Sequence, residues 1–146
     1  MNNITSFRKD YFFLSNFYPC KIEYNNRVFK SVEHAFQAAK CDNENEQRIF
    51  LYLSTPKEAR SWGRKITMRA DWDKIKLTIM KNLLWQKFSN NENLKELLLK
   101  TKDAELIEGN TWNDTFWGVC NGIGNNWLGK ILMEIRENID KGDLVK

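Results

Sequence analysis

Segment 108–129, EGNTWNDTFWGVCNGIGNNWLG, constrains this chain more than any other stretch. It gathers three tryptophans, five glycines and the acids Glu108 and Asp114, yet its apolar residues follow neither a helical nor a strand period. Long irregular segments are uncommon inside compact domains, and those that occur are usually functional. Glycine loses much conformational freedom on ordering, and an indole needs a large apolar surface against it. The combination makes physical sense where the backbone must fold tightly around a flat ligand that rings can sandwich.

The flanking sequence is mainly helical in pattern. Residues 21–24 and 27–29 flank Asn25-Asn26 and predict a small hairpin, because asparagine tolerates the positive φ of such turns. Ser31 is placed to cap a short helix whose apolar stripe is Val32, Ala35, Phe36 and Ala39. A second helix is expected over 44–53. Thr55-Pro56-Lys57-Glu58 is a start signal, with Thr55 as cap, Pro56 at the first helical position and Glu58 reaching back; that helix should stop near Gly63. The longest helix is expected over 73–89, with Ile75, Ile79, Leu83 and Trp85 or Phe88 facing inward. Another should start at Asn91 or Asn93 and carry Leu94, Leu97 and Leu98. Residues 104–107 suggest a short strand, and a terminal helix carries Leu128, Ile131, Leu132 and Ile135, with Arg136 toward its end. The expected fold is α+β and mainly helical, a single compact domain of residues 1–146. It has a small β-hairpin near the N-terminus and the Gly/Trp-rich loop before the C-terminal helix.

Composition limits the function. At 42% apolar and 29% charged residues the chain is globular rather than disordered. A net charge of +4 permits an anionic ligand, but without a dense Lys/Arg block a dedicated nucleic-acid module is disfavoured. Three cysteines with no Cys-x-x-Cys spacing and a single histidine make no convincing zinc set, so reduced thiols in a cytoplasmic protein are expected. Arg8, Lys9 and Asp10 interrupt any early apolar run, so neither a signal peptide nor a membrane span is expected.

Several residues carry chemistry, each with a plainer alternative. Glu33, Gln37 and Lys40 lie at i, i+4 and i+7 beside the apolar stripe of the first helix. They are either a solvated polar face or a carboxylate and an amine aimed together into a pocket, where the lysine could attack a sugar aldehyde. His34 points between the faces and suits packing or hydrogen bonding. Trp72 is either a hydrophobic staple for the long helix or a ring against a ligand. Arg64, Lys65 and Arg69 form either a surface charge run or a phosphate-binding edge. Asp114, three residues before Trp117, is either an Asx-turn residue or a catalytic carboxylate held against rings. Gly122, Gly124 and Asn125 precede a helix start, where backbone N–H groups can receive an anion.

Taken in order, these pieces resemble the NADAR/YbiA-like family over nearly the whole chain. The resemblance is carried by FLSNFYPCKIEYNNRVFKSVEHAFQAAK, ARSWGRK, MRADWDKIK, the 108–129 loop and LMEIRENI. It departs at 119–121, which is shorter than the Asp/Gly-rich insertion of the riboflavin-linked bacterial members. The resemblance implies a metal-independent, cofactor-free hydrolase that cleaves the N-glycosidic bond between a ribose and a base nitrogen. The implied substrates are phosphorylated riboflavin-pathway intermediates or ADP-ribosylated guanine, in DNA or as a nucleotide. A non-catalytic reader of ADP-ribose or a modified base is the alternative. Glu33 and Trp72 match positions essential in the family, and Asp114 and Trp117 match the acidic and aromatic pair of its loop. Lys40 matches the lysine after the Phe-Gln pair, which the resemblance links to a Schiff base with opened ribose. The implied catalytic set is therefore Glu33, Lys40 and Asp114. The implied substrate-binding set is Asn16, Trp72, Trp117, Arg64, Arg69, Glu108, Gly118 and Asn125.

Overall fold

The computed structural model describes residues 3–140, and the chain is α+β and predominantly helical. It divides into two compact units. Asn16–Lys87 makes one, and the segments before and after it make the other.

In the Asn16–Lys87 unit, strands β1 (Ile22–Tyr24) and β2 (Arg27–Phe29) pair antiparallel, with Ile22 opposite Phe29 and both buried. Asn25 and Asn26 take φ of 52° and 62°, the left-handed values that the predicted two-residue turn requires. Helix α1 (Val32–Ala39) starts where Ser31 accepts the His34 N–H, and its predicted stripe is buried throughout. Helix α2 (Glu44–Ile49) ends earlier than expected. The Leu51 and Tyr52 N–H groups bond three residues back, to Arg48 and Ile49, which tightens the last turn. Tyr52 then turns into solvent. Helix α3 (Pro56–Trp62) has both halves of the Thr55–Glu58 capping box and ends at Gly63. Helix α1 packs against α2, α3 and both strands, so it sits at the centre of this unit.

Helix α4 (Trp72–Ser89) buries Leu83 and Phe88 as expected, but the rest of its inward face differs from the expected one. Trp72, Met80, Leu83, Leu84, Lys87 and Phe88 are buried, whereas Ile75, Ile79 and Trp85 are only half-buried. A lysine occupies a core position of the true stripe, so hydropathy alone selects the neighbouring face.

The other unit contains a 3-10 turn at Lys9–Leu14 and helices α5 (Glu92–Lys100) and α6 (Trp127–Ile139). Leu94 and Leu98 of α5, and Leu128, Ile131, Leu132 and Ile135 of α6, are buried as predicted. Arg136 donates to Thr101 Oγ1 at 2.9 Å. Residues 104–107 contribute only a single bridge, Leu106 to Ile4, in place of the expected strand. The real strands lie within the segment that has no sequence period: β3 (Gly109–Asn110) pairs in parallel with β4 (Val119–Cys120). Strands of two residues cannot show alternation, which is why the pattern concealed them. Among the described residues, no helix is long and apolar enough to cross a membrane.

Candidate active site

Glu33 lies in the first turn of α1 and is 4% exposed, so a solvated face does not describe it. The N-terminal end of a helix favours negative charge, which lowers the cost of burying a carboxylate there. Gln37 Nε2, one turn on, donates to Glu33 Oε2 at 2.9 Å, and Arg60 Nε of α3 stands 3.7 Å from the same oxygen. The Arg60 guanidinium also lies over the Phe17 ring, 4.6 Å from its centroid, a cation–π contact that helps to hold it there. The Glu33 backbone N–H donates to the carbonyl of Asn16 at 3.1 Å. Asn16 is itself buried; its Nδ2 makes only a 3.6 Å contact with Met80 Sδ. Its Oδ1, like Gln37 Oε1, is buried with no hydrogen-bond partner among the described residues. Unpartnered buried acceptors are rare in folded proteins and cost about 1–3 kcal/mol each, so one on the amide that holds Glu33 and one on the residue whose backbone takes the Glu33 N–H are informative.

Lys40 closes α1, and its Nζ donates to the Gly63 carbonyl at the end of α3, 2.9 Å away. Desolvation is the main cause that pulls its pKa below the ordinary lysine value; Glu33 opposes that fall, and Arg64 and Lys76 add to it. A lowered pKa increases the neutral, nucleophilic fraction of the amine. Trp72 is buried, with its ring 4.9 Å from that of Phe36 on α1. Such a pair adds about 0.5–1.5 kcal/mol beyond the area it buries, so this indole is part of the packing of α1 on α4. Arg69 is engaged twice: its guanidinium holds Asp71 at 2.7 and 3.2 Å and reaches the Ala39 carbonyl at 3.4 Å. Arg64 is exposed. His34 is the hydrogen-bonding histidine its position suggested, between Ser31 Oγ at 2.7 Å and the Leu53 carbonyl at 3.0 Å.

The 108–126 loop is built by side chains that bond to backbone. Asn110 Oδ1 accepts from the Trp112 and Asp114 N–H groups, and its Nδ2 donates to the Asp114 carbonyl. Asp114 Oδ1 accepts from the N–H groups of Phe116 (3.2 Å) and Trp117 (2.9 Å), an Asx turn. Trp117 is half-buried and meets Phe116 edge to face, with centroids 4.7 Å apart. Asn126, at φ 54°, accepts the Glu108 N–H and donates to the Leu106 carbonyl. A Cβ on Gly118 would overlap the Glu108 carbonyl oxygen, so only glycine fits there. At the entrance to α6 the N–H groups of Asn125, Asn126, Trp127 and Leu128 already bond to Thr115, Gly118, Phe116 and Trp117 carbonyls.

Gln37, Arg60 and Lys87 were given no site role by the sequence. Gln37 and Arg60 bind Glu33, and Lys87 is wholly buried against the Tyr18 ring at 5.5 Å. The i, i+4 spacing of Glu33 and Gln37 signals the first pairing. Arg60 is on another helix and carries no such signal. All three cysteines are free thiols.

A mainly helical α+β chain with a buried carboxylate and a half-buried amine on one short helix defines the class. Residues 5–140 match the NADAR domain. An N-glycosidase of Nostoc punctiforme, Npun_R5314, is 40% identical over 131 residues, which is 86% of this chain and 83% of that protein. The NMR structure of Escherichia coli YbiA superposes with a TM-score of 0.84 at 34% identity, covering 99% of this chain and 87% of that one. A riboflavin biosynthesis protein of Vibrio vulnificus, VVA0006, is 37% identical over 132 residues, 88% of this chain but only 36% of that protein. The chain belongs to the NADAR domain family.

Proposed function

We propose that this chain is an N-glycosidase that hydrolyses the bond between a ribose and a base nitrogen. The observation that carries this is Glu33: a buried carboxylate, held by the Gln37 amide and faced by Arg60, on the same helix as an amine of lowered pKa. The names of the Nostoc and Vibrio relatives support it. Breaking a ribosyl C–N bond builds positive charge at the anomeric carbon and negative charge on the departing base. Glu33 is assigned the proton transfer to the base nitrogen. As the sugar opens, the C1–O4 bond breaks with protonation of O4 and leaves C1 double-bonded to the base nitrogen; Lys40 Nζ is assigned the addition to that C1. The base then leaves with the proton, and water hydrolyses the resulting imine to return the free amine. Asp114 is assigned to the sugar, and Trp72 and Trp117 to the base.

Asn16 is assigned a ligand contact because its unpartnered Oδ1 is an acceptor awaiting a donor, and amino-pyrimidines and guanine both carry N–H donors. Arg64 and Arg69 are assigned to the phosphates, with Glu108, Gly118 and Asn125 completing the ligand contacts. The substrate is ADP-ribosylated guanine, in DNA or as a nucleotide, or a phosphorylated riboflavin-pathway intermediate.

A side-by-side assay tests the reading. Purified protein is given an ADP-ribosyl-guanine oligonucleotide, free ADP-ribosyl guanosine and a ribosylaminopyrimidine phosphate. Base is released from at least one of them, with or without EDTA. Borohydride added during turnover links the sugar to Lys40. Release from none of the three ends the N-glycosidase reading, whereas turnover without any trapped adduct, persisting in Lys40→Ala, removes only the covalent step.

A further inference from the structure

Gly63 ends α3, and its conformation does not explain why it is glycine. Its φ of −59° and ψ of −17° are right-handed helical values that any residue adopts. Its surroundings do explain it. A Cβ built on Gly63 would overlap Gln37 Oε1 and lie 2.6 Å from Gln37 Cδ. The Gln37 carboxamide therefore rests on the bare Cα of Gly63, with its Nε2 turned to Glu33 Oε2 and its Oε1 buried without a donor among the described residues. An amide left with an unpartnered buried oxygen is held against its own preference, and here the bond to Glu33 and the missing methyl hold it together.

We infer that Gln37 is a positioning residue for Glu33, and that Gly63 is glycine in order to seat the Gln37 amide in the orientation that fixes the carboxylate. This deepens the N-glycosidase reading and rests on it for the role of Glu33. The mechanism is steric and local. The Gln37 amide is the far end of a flexible side chain, so a methyl at Gly63 would displace it without unfolding the chain. Alanine is also compatible with the Gly63 backbone and restricts the unfolded chain, which offsets part of the stability lost with the hydrogen bond to Glu33. Glu33 would then lose a donor that favours its ionised form. The charged groups facing it, Arg60 from α3 and Lys40 from its own helix, would remain.

The test uses the full chain and four proteins: wild type, Gly63→Ala, Gln37→Leu and the double variant. Carbon-13 NMR of the Glu33 side chain follows its titration independently of catalysis. In Gly63→Ala the Glu33 midpoint should move up by about one unit, the size of one lost hydrogen bond to a charged group. The melting temperature at pH 7 should fall by only a few degrees, the net of the lost hydrogen bond and the stiffer unfolded chain. On the glycoside that wild type cleaves, kcat should fall roughly tenfold to a hundredfold with KM little changed, as for an ångström-scale displacement of a reacting group. The double variant should match Gln37→Leu rather than sum the two effects, because Gly63 acts through Gln37.

A Gly63→Ala protein with the wild-type Glu33 midpoint overturns the inference, as do additive effects in the double variant. If Gly63→Ala fails to fold, Gln37→Leu with an unmoved midpoint overturns it alone. If the midpoint moves as expected while wild type cleaves none of the three glycosides, the positioning stands and the N-glycosidase reading falls.

Discussion

On α1 the polar side chains bond to one another and leave acceptors over. In the 108–126 loop they bond to backbone and leave the chain closed. Gln37 serves Glu33, while Asn16 Oδ1 and Gln37 Oε1 find no donor among the described residues. Asn110, Asp114 and Asn126 instead collect the N–H and carbonyl groups of a segment with little regular structure of its own. The difference separates two uses of the same chemistry. Side chains that satisfy backbone make a shape. A buried carboxylate held by an amide with an unpartnered oxygen is a place where a ligand or a water would complete the hydrogen bonding.

The largest expected effect would break this contrast at its α1 end. Glu33→Gln should lower turnover by about 100-fold or more, the scale of general acid–base catalysis, with little change in melting temperature. Near-normal turnover in that variant would reduce the α1 cluster to a structural one. At the loop end, Asp114→Ala removes the acceptor of two backbone N–H groups. It should cost about 1–3 kcal/mol of stability, read from denaturant melts. Asp114→Asn keeps an acceptor in the same place and should hold most of that stability. Turnover lost in Asp114→Asn at intact stability would show that this carboxylate has a chemical as well as a turn-forming role, and would narrow the contrast. An Asp114→Ala chain as stable as wild type would remove the loop-building account altogether.

The smallest effect concerns Lys87, which belongs to neither region. Burial pushes its pKa down to about 7, with Cys20 opposing the fall. Below pH 7 the fold must hold the buried charge. Between about 7 and the unfolded value of 10.5, the unfolded chain binds a proton that the fold does not, so the stability contribution rises with pH. Lys87→Met should melt about 2–4 °C higher at pH 7, the shift that ~1 kcal/mol gives in a chain of this size. Its advantage should shrink as the pH is raised to 10. A variant no more stable at either pH would show that the lysine is accommodated without penalty.

Much of the Asn16–Lys87 unit could be read from the sequence because its signals are local. The Asn25-Asn26 turn, the Ser31 cap and the Thr55–Glu58 box each act within a few residues, and each is present. The inward face of α4 was legible only in part: Leu83 and Phe88 are buried as expected, but a buried Lys87 on the same face carries no apolar signal. The parallel pairing of Gly109–Asn110 with Val119–Cys120 was equally hidden, because strands this short have no period. At the candidate site, residue types and spacing put Glu33 and Lys40 on one helix beside its apolar stripe. They could not distinguish a solvated face from a buried one, because an i, i+4, i+7 set looks the same in both.

Sequence by itself determined the helical framework, the turn and cap positions and the family resemblance, since these rest on backbone preferences and ordered motifs that act at short range. Tertiary structure alone decided that Glu33 is buried, that Arg60 of a different helix stands beside it, and that Gly63 is bare to make room for Gln37. Burial, charge pairing and steric exclusion depend on distances between residues far apart along the chain, and those distances exist only once α3 has packed on α1.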